Sequence, residues 1–211
     1  GWADPYVGKL QEWGVMRGDG SGNMNAEGQM TRAEMVAFLN RAFGFNEPGP
    51  ISFTDVQRKD WFYDDIAIGK KAGIFNGTSS TTAEPLGKVT REQALALIAR
   101  CLRLEESPGE ITEFTDGRQF SSWCAPYVRS ALLAGIISGR GDGTFRPGRS
   151  ITRGEMAKML ATGLGDLVNK PGTYEKGGVF GNVTINTSGV TLRNTTIAGD
   201  LYISGGLGLG E

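Results

Sequence analysis

Histidine is absent from the 211-residue chain. That gap removes the commonest general base, proton shuttle and zinc ligand together. Cysteine is scarce: Cys101 and Cys124 are the only thiols. A cysteine–histidine pair is therefore impossible, and a thiolate zinc site is unsupported. The two cysteines can form one disulfide, but two buried free thiols are an equally good reading. No apolar run approaches the length of a membrane span, which argues against membrane insertion. No secretory leader is visible, and the start at Gly1-Trp2 reads as a processed or trimmed N-terminus. Net charge is only -1, so there is no diffuse basic field for nucleic acid or an anionic bilayer. An anion would have to be bound at discrete, placed sites. What remains is ordinary globular composition, 39% hydrophobic and 21% charged, in enough chain for one large domain or two small ones. Acids are plentiful, but no paired-carboxylate arrangement has a positional argument behind it. The chain is read as a non-enzyme with no catalytic residue, cofactor or metal.

What is present is a repeat. Thr-Arg occurs at Thr31-Arg32, Thr90-Arg91 and Thr152-Arg153, and each pair follows a tryptophan: Trp2, Trp61 and Trp123. The offsets 31−2, 90−61 and 152−123 all equal 29, a strong internal periodicity. In that register Gly14, Gly73 and Gly135 align, as do Val15, Ile74 and Ile136, then Gly18, Gly77 and Gly139. Two copies open with Phe-Thr-Asp, at Phe53-Thr54-Asp55 and Phe114-Thr115-Asp116. Each copy reads as a first helix ended by the aligned glycine, a glycine-rich loop, and a second helix starting at Thr-Arg. The first copy's second helix carries Met35, Phe38, Leu39 and Phe43 at helical spacing. Linkers near Asn46–Pro50 and Glu106–Gly109 separate the copies. The boundaries are 1–45 for the first copy, truncated at its start, then 51–105 and 112–165, with a β-rich segment over 174–211.

The pattern resembles the S-layer homology family over about residues 2–165. The matching pieces are Phe-Thr-Asp, the tryptophan, Gly135-Ile-Ile-Ser-Gly139, Asp142-Gly-Thr-Phe-Arg-Pro147 and Ile151-Thr-Arg-Gly-Glu155. Met30-Thr-Arg-Ala-Glu34 is also close. Copy two departs, with no Asp-Gly-Thr-Phe and with Gln93 where the family has glutamate. The resemblance implies a mainly α fold in which three repeats form one pseudo-threefold domain. It also implies non-covalent anchoring of an extracellular protein at the bacterial cell surface, in the surface layer. The implied partner is a peptidoglycan-associated, pyruvylated secondary cell-wall polymer, an anionic N-acetylhexosamine glycan, held in inter-repeat grooves. Two alternatives stay open: a self-assembly module of a surface layer, and the anchor of a polysaccharide-active enzyme whose catalytic part lies outside this chain.

The plain reading of Thr-x-x-Glu is a capping box. Thr31, Thr90 and Thr152 would be N-caps, with Glu34, Gln93 and Glu155 reaching back. The arginines are harder to place structurally. A cation in the first turn opposes the helix dipole by roughly 0.3–1 kcal/mol, and three such violations at matched positions point to function. Arg32, Arg91 and Arg153 are therefore the candidate carboxylate receptors, each beside a free helix N-terminus. The structural alternative is a salt bridge to an acid of a neighbouring repeat. Removing an arginine should barely change stability on the functional reading, and the groove of copy two should be the weakest. Trp2, Trp61 and Trp123 have two readings, core packing, the commoner for tryptophan beside a helix start, and a sugar platform. Gly18, Gly77 and Gly139 would serve turns, with backbone amides open to ligand. Asp19 to Met30 fails the calcium-loop pattern, with Met24 and Met30 at the positions for glycine and glutamate.

After Lys170 the composition shifts. Val183-Thr-Ile185, Val190-Thr-Leu192 and Leu201-Tyr-Ile203 alternate in strand fashion between Asn and Gly corners. They read as the start of a β-solenoid, a β-helix-like segment that looks cut short at Glu211 and whose open edge could support self-association.

Overall fold

The computed structural model describes residues 1–18, 21–139 and 141–204, apart from the side chain of Lys176. Asp19 of the rejected calcium loop, Arg140 of the third loop and the tail beyond Ser204 lie outside the described residues. Chain order is α1 (Asp4–Glu12), α2 (Arg32–Phe43), α3 (Tyr63–Lys71), α4 (Arg91–Cys101), a 3-10 turn (Gly117–Gln119), α5 (Ala125–Leu133) and α6 (Arg153–Leu164). Five strands follow: β1 (Asp166–Val168), β2 (Gly172–Phe180), β3 (Val183–Ile185), β4 (Val190–Ile197) and β5 (Leu201–Ile203).

The helix limits follow from local chemistry. Thr31, Thr90 and Thr152 are N-caps with complete capping boxes: each hydroxyl accepts from the N3 backbone, and each N3 side chain accepts from the cap's own N–H. Gln93 serves in the box as well as the two glutamates do, its Oε1 accepting from Thr90 N at 2.9 Å. The first helices end at Gly14, Gly73 and Gly135, at φ of 70°, 76° and 68°. Those left-handed positions cost glycine nothing and a residue with a Cβ more.

Packing is between copies rather than within them. α1 lies on α6, α3 on α2 and α5 on α4, so each first helix covers the second helix of the preceding copy, and the third copy closes back on the first. At the centre, three backbone bonds form a ring: Met30 N donates to Ile151 O at 3.0 Å, Ile151 N to Val89 O at 2.9 Å, and Val89 N to Met30 O at 3.2 Å. All three side chains are fully buried. Asp55 and Asp116 explain the Phe-Thr-Asp motif. Asp55 accepts from Ala83 N and Glu84 N, and Asp116 from Phe145 N and Arg146 N, at 2.7–2.9 Å. Each carboxylate thus pins the loop of its own copy.

The expected mainly α fold with a nascent β-solenoid needs correction. Six helices and five strands make a mixed chain among the described residues. The strands form two small parallel sheets, β1-β3-β5 and β2-β4, and no closed solenoid. Too little chain is stacked to close a coil core. Val168, Val183 and Ile185 are buried against Tyr174, Phe180, Val190, Leu192 and Ile197, while Val179, Leu201 and Ile203 stay exposed. The segment is also docked on the helices by hydrogen bonds. Asn169 donates to Trp13 O, Thr184 to Leu164 O, Asn186 to Arg41 O and Ala42 O, and Ser204 to Phe43 O. These bonds satisfy carbonyls left without partners where α1, α2 and α6 end.

Both cysteines are free. Burial pushes each thiol up to about 12, opposed by Arg100 at Cys101 and reinforced by Glu92 at Cys124. Almost no thiolate then exists near neutral pH. A thiol reagent at pH 8 should label neither cysteine quickly in the native chain and both after denaturation; rapid native labelling of Cys124 would contradict this burial. The inter-copy packing gives a second expectation. A peptide of residues 51–105 leaves α3 without α2 and α4 without α5, so it should show no cooperative thermal transition by circular dichroism. A sigmoidal melt would refute the shared core.

Candidate functional site

The start of each second helix is built by two copies. Arg32 N and Ala33 N donate to Gly87 O and Pro85 O, both at 2.9 Å. Arg91 N and Glu92 N donate to Arg149 O and Pro147 O at 2.9 and 3.1 Å. Arg153 N and Gly154 N donate to Gly28 O and Ala26 O at 2.9 and 2.7 Å. The helix N-termini are not free, contrary to the expectation that they would cradle a carboxylate. Loop carbonyls of the next copy already hold their amides.

The arginines join the same contact. Arg32 Nε donates to Ala83 O at 3.0 Å, Arg91 Nε to Phe145 O at 2.7 Å and Arg153 Nε to Met24 O at 2.9 Å. Each guanidinium also covers a phenylalanine ring, Phe75, Phe145 and Phe38 respectively, at 4.5–5.2 Å. Arg91 Nη1 pairs with Glu155 at 3.0 Å, and Arg153 Nη1 with Glu34 at 2.7 Å. Both arginines are buried, at 5% and 7% exposure. The structural alternative thus holds for these two: the acid of the next copy neutralises them. Their removal should cost stability, which reverses the expectation drawn from the dipole alone.

The same rotation would pair Arg32 with Gln93, and no ion pair forms there. Arg32 is half-buried. Burial lowers its pKa, while Glu84 and Asp55 oppose that shift through space without forming a salt bridge. Its Nη donors are the only ones of the three Thr-Arg arginines that no carboxylate engages among the described residues.

Two cavities of about 440 Å³ lie over these junctions. The first gathers Gly18, Glu34 and Phe38 from copy one, Trp61 from copy two and Arg153 from copy three. The second gathers Gly139 and Glu155 from copy three, Arg91 from copy two and Trp2 from copy one. Each groove therefore draws on all three copies. The repeat offsets carry the set to Gly77, Gln93, Arg32 and Trp123 at the third junction. A larger cleft of about 560 Å³ lies against β5 and takes none of these residues. The core reading of the tryptophans is overturned: Trp2, Trp61 and Trp123 are 53%, 60% and 50% exposed. Gly77 has φ of 74°, and a Cβ there would meet Thr82 O and Phe53 at under 3 Å. At Gly18 a Cβ would meet the Gly22 backbone at 2.8 Å, whereas Gly139 has ordinary clearance. Sequence reasoning missed Arg17, Arg41 and Arg149, which line the grooves from positions outside the shared motif.

Comparison with known proteins decides the family. The S-layer homology domain pattern matches residues 1–36, 52–95 and 113–157. The chain belongs to the S-layer homology domain family. It is 32% identical over 164 residues to the surface-layer 125 kDa protein of Lysinibacillus sphaericus, covering 76% of this chain and 14% of that protein. An endoglucanase of Bacillus sp. (strain KSM-635) is 33% identical over 118 residues, covering 56% of this chain and 12% of the enzyme. An S-layer protein of Bacillus thuringiensis subsp. finitimus is 31% identical over 109 residues, covering 52% and 13%. The chain thus spans about one-seventh or less of these relatives. Domains of this family serve as cell-surface anchoring modules, and the chain is assigned to the bacterial cell surface. No described helix is long and apolar enough to cross a membrane.

Gln93 separates capping from ion pairing, because it keeps the first and loses the second. Glu34→Gln should therefore preserve the α2 cap yet leave buried Arg153 without its carboxylate. The expected loss is about 1.5–3 kcal/mol by urea denaturation. Gln93→Glu should supply the third pair at half-buried Arg32 and stabilise by about 0–1 kcal/mol. A neutral Glu34→Gln would remove the ion pairs from the account of stability.

Proposed function

We propose that this chain anchors an extracellular protein to the cell wall by binding a pyruvylated secondary cell-wall polysaccharide in its inter-repeat grooves. One observation carries the reading: an exposed tryptophan and a buried arginine from different copies meet over each of two cavities. An indole face suits a sugar ring, and a guanidinium suits the planar carboxylate of a ketal. Arg32, Arg91 and Arg153 remain the proposed carbohydrate-binding arginines. Trp2, Trp61 and Trp123 are the platforms, and Gly18, Gly77 and Gly139 are the loop positions that leave room. Thr31, Thr90 and Thr152, with Glu34, Gln93 and Glu155, support the helix starts. Copies 1–45, 51–105 and 112–165 act as one binding unit, and 174–211 is a separate β-rich segment. That a surface-layer protein and an endoglucanase both resemble this segment favours an anchor whose passenger varies. The exposed Leu201 and Ile203 on the edge strand β5 favour a secondary role in self-association.

Calorimetry of the whole chain with purified wall polymer, before and after removal of pyruvate, tests the reading. Intact polymer should bind and depyruvylated polymer should bind much more weakly; equal affinity would overturn carboxylate recognition. Arg32→Ala should cost about 1.5–3 kcal/mol of binding at its groove. Arg32→Lys should also lose affinity, because lysine lacks the planar fork.

A further inference from the structure

The Glu34 groove contains two guanidiniums from outside the Thr-Arg motif. Arg17 and Arg41 line it beside Arg153. Copy spacings of 90−31 = 59 and 152−90 = 62 place Asn76 and Ser138 opposite Arg17, and Arg100 and Thr162 opposite Arg41. Arg153 itself already uses three of its five N–H donors inside the fold. Its Nε binds Met24 O at 2.9 Å, Nη1 binds Glu34 at 2.7 Å, and Nη2 binds Arg17 O at 2.9 Å.

The segment carrying Arg17 is held from beneath by two arginines. Arg153 Nη2 grips Arg17 O, and Arg41 Nη1 donates to Val15 O at 3.3 Å. Those bonds fix the backbone from Val15 to Arg17 and leave the Arg17 side chain exposed at the groove mouth. No described residue makes a hydrogen bond or ion pair with that side chain. Arg41 has one long ion pair, to Asp65 at 3.6 Å. Its pKa is lowered, chiefly by burial; Asp65 opposes the shift, and the nearby charges of Arg17 and Arg153 add smaller lowering effects. Like charges gathered in one concavity are relieved by an anion, and guanidinium forks favour carboxylate or phosphate.

We propose that Arg17 and Arg41 are the anion receptor of the Glu34 groove, taking a carboxylate or phosphate of a glycan whose ring rests on Trp61, while Arg153 positions their segment. The inference rests on the glycan-anchoring reading and assigns this groove's contact to different arginines. The Trp61 indole N–H resonance of the whole chain provides a local readout. Two probes are titrated: an N-acetylhexosamine disaccharide bearing a pyruvate ketal, and the same disaccharide bearing a phosphate. Both should shift the Trp61 signal, and the relative affinities identify the preferred anion. Arg17→Gln should weaken the response about tenfold, the worth of one charge-assisted contact, with little change in Tm because Arg17 is exposed. Arg17→Lys should recover part of the loss. Arg41→Gln should act in the same direction, judged against its own Tm. An unchanged Trp61 titration in Arg17→Gln overturns the proposal and leaves the anchoring reading intact if ketal removal still abolishes polymer binding. If neither disaccharide nor the polymer binds the wild-type chain, both fail together.

Discussion

Three backbone hydrogen bonds between Met30, Val89 and Ile151 constrain everything built around them. Each of these residues gives its N–H to a second copy and its carbonyl to a third, so no copy can satisfy its own set. Buried backbone groups without partners cost free energy comparable to a lost hydrogen bond, which makes the ring closed or costly. Each ring residue directly precedes a capping threonine. The second helices therefore leave the ring at related angles, and their first amides face the next copy's loop. The capping boxes, the Nε bonds and the Arg–Glu pairs all use residues within four positions after the ring residues.

The ion pairs form a second cycle outside the first, and this one is incomplete. Copy two passes its arginine to Glu155, and copy three passes its own to Glu34. Copy one meets Gln93, which keeps the cap and loses the charge. A buried ion pair is weak evidence for stability, but an unpaired buried charge is strongly unfavourable. Arg32 tolerates the missing partner because it is the more exposed of the three arginines. The exchange of Glu for Gln at one position thus turns one structural arginine into one with free donors.

What was legible in the sequence was local. The spacing of 29 between tryptophan and Thr-Arg fixed the copies, and Thr-x-x-Glu/Gln located three helix starts to the residue, because a capping box is closed within four positions. What stayed hidden required knowing which copy faces which. The partners of Arg91 and Arg153 lie 64 and 119 residues away, as 155−91 and 153−34, and no local pattern encodes that. The occupied helix N-termini were invisible for the same reason. Arg17 escaped notice because aligning copies highlights what recurs and Arg17 does not, and Arg41 because its one arginine counterpart, Arg100, lies outside the Thr-Arg motif. The tail misled differently. Its alternating residues do make strands, but in two small sheets with no closed solenoid, tied to the helix ends through Asn169, Thr184 and Asn186.

The same geometry changes which recurrence counts as a functional signal. Thr-Arg at three matched positions looked like a ligand motif because the arginine opposes the helix dipole. The inter-copy bonds to Ala83, Phe145 and Met24 now supply a structural reason for all three, so the repetition of Thr-Arg follows from the architecture. The tryptophans point the other way. Burying a large apolar side chain is worth about 1.5–3 kcal/mol, and this fold forgoes much of that at Trp2, Trp61 and Trp123 alike. Nothing in the helix packing requires an indole at the surface three times over. Two of them stand over grooves that also hold a charged guanidinium, the pairing of an apolar face with a directed polar contact that a sugar ring bearing an acid would need. The recurrence that architecture does not explain is therefore the exposed aromatic, and it is the stronger pointer to a glycan.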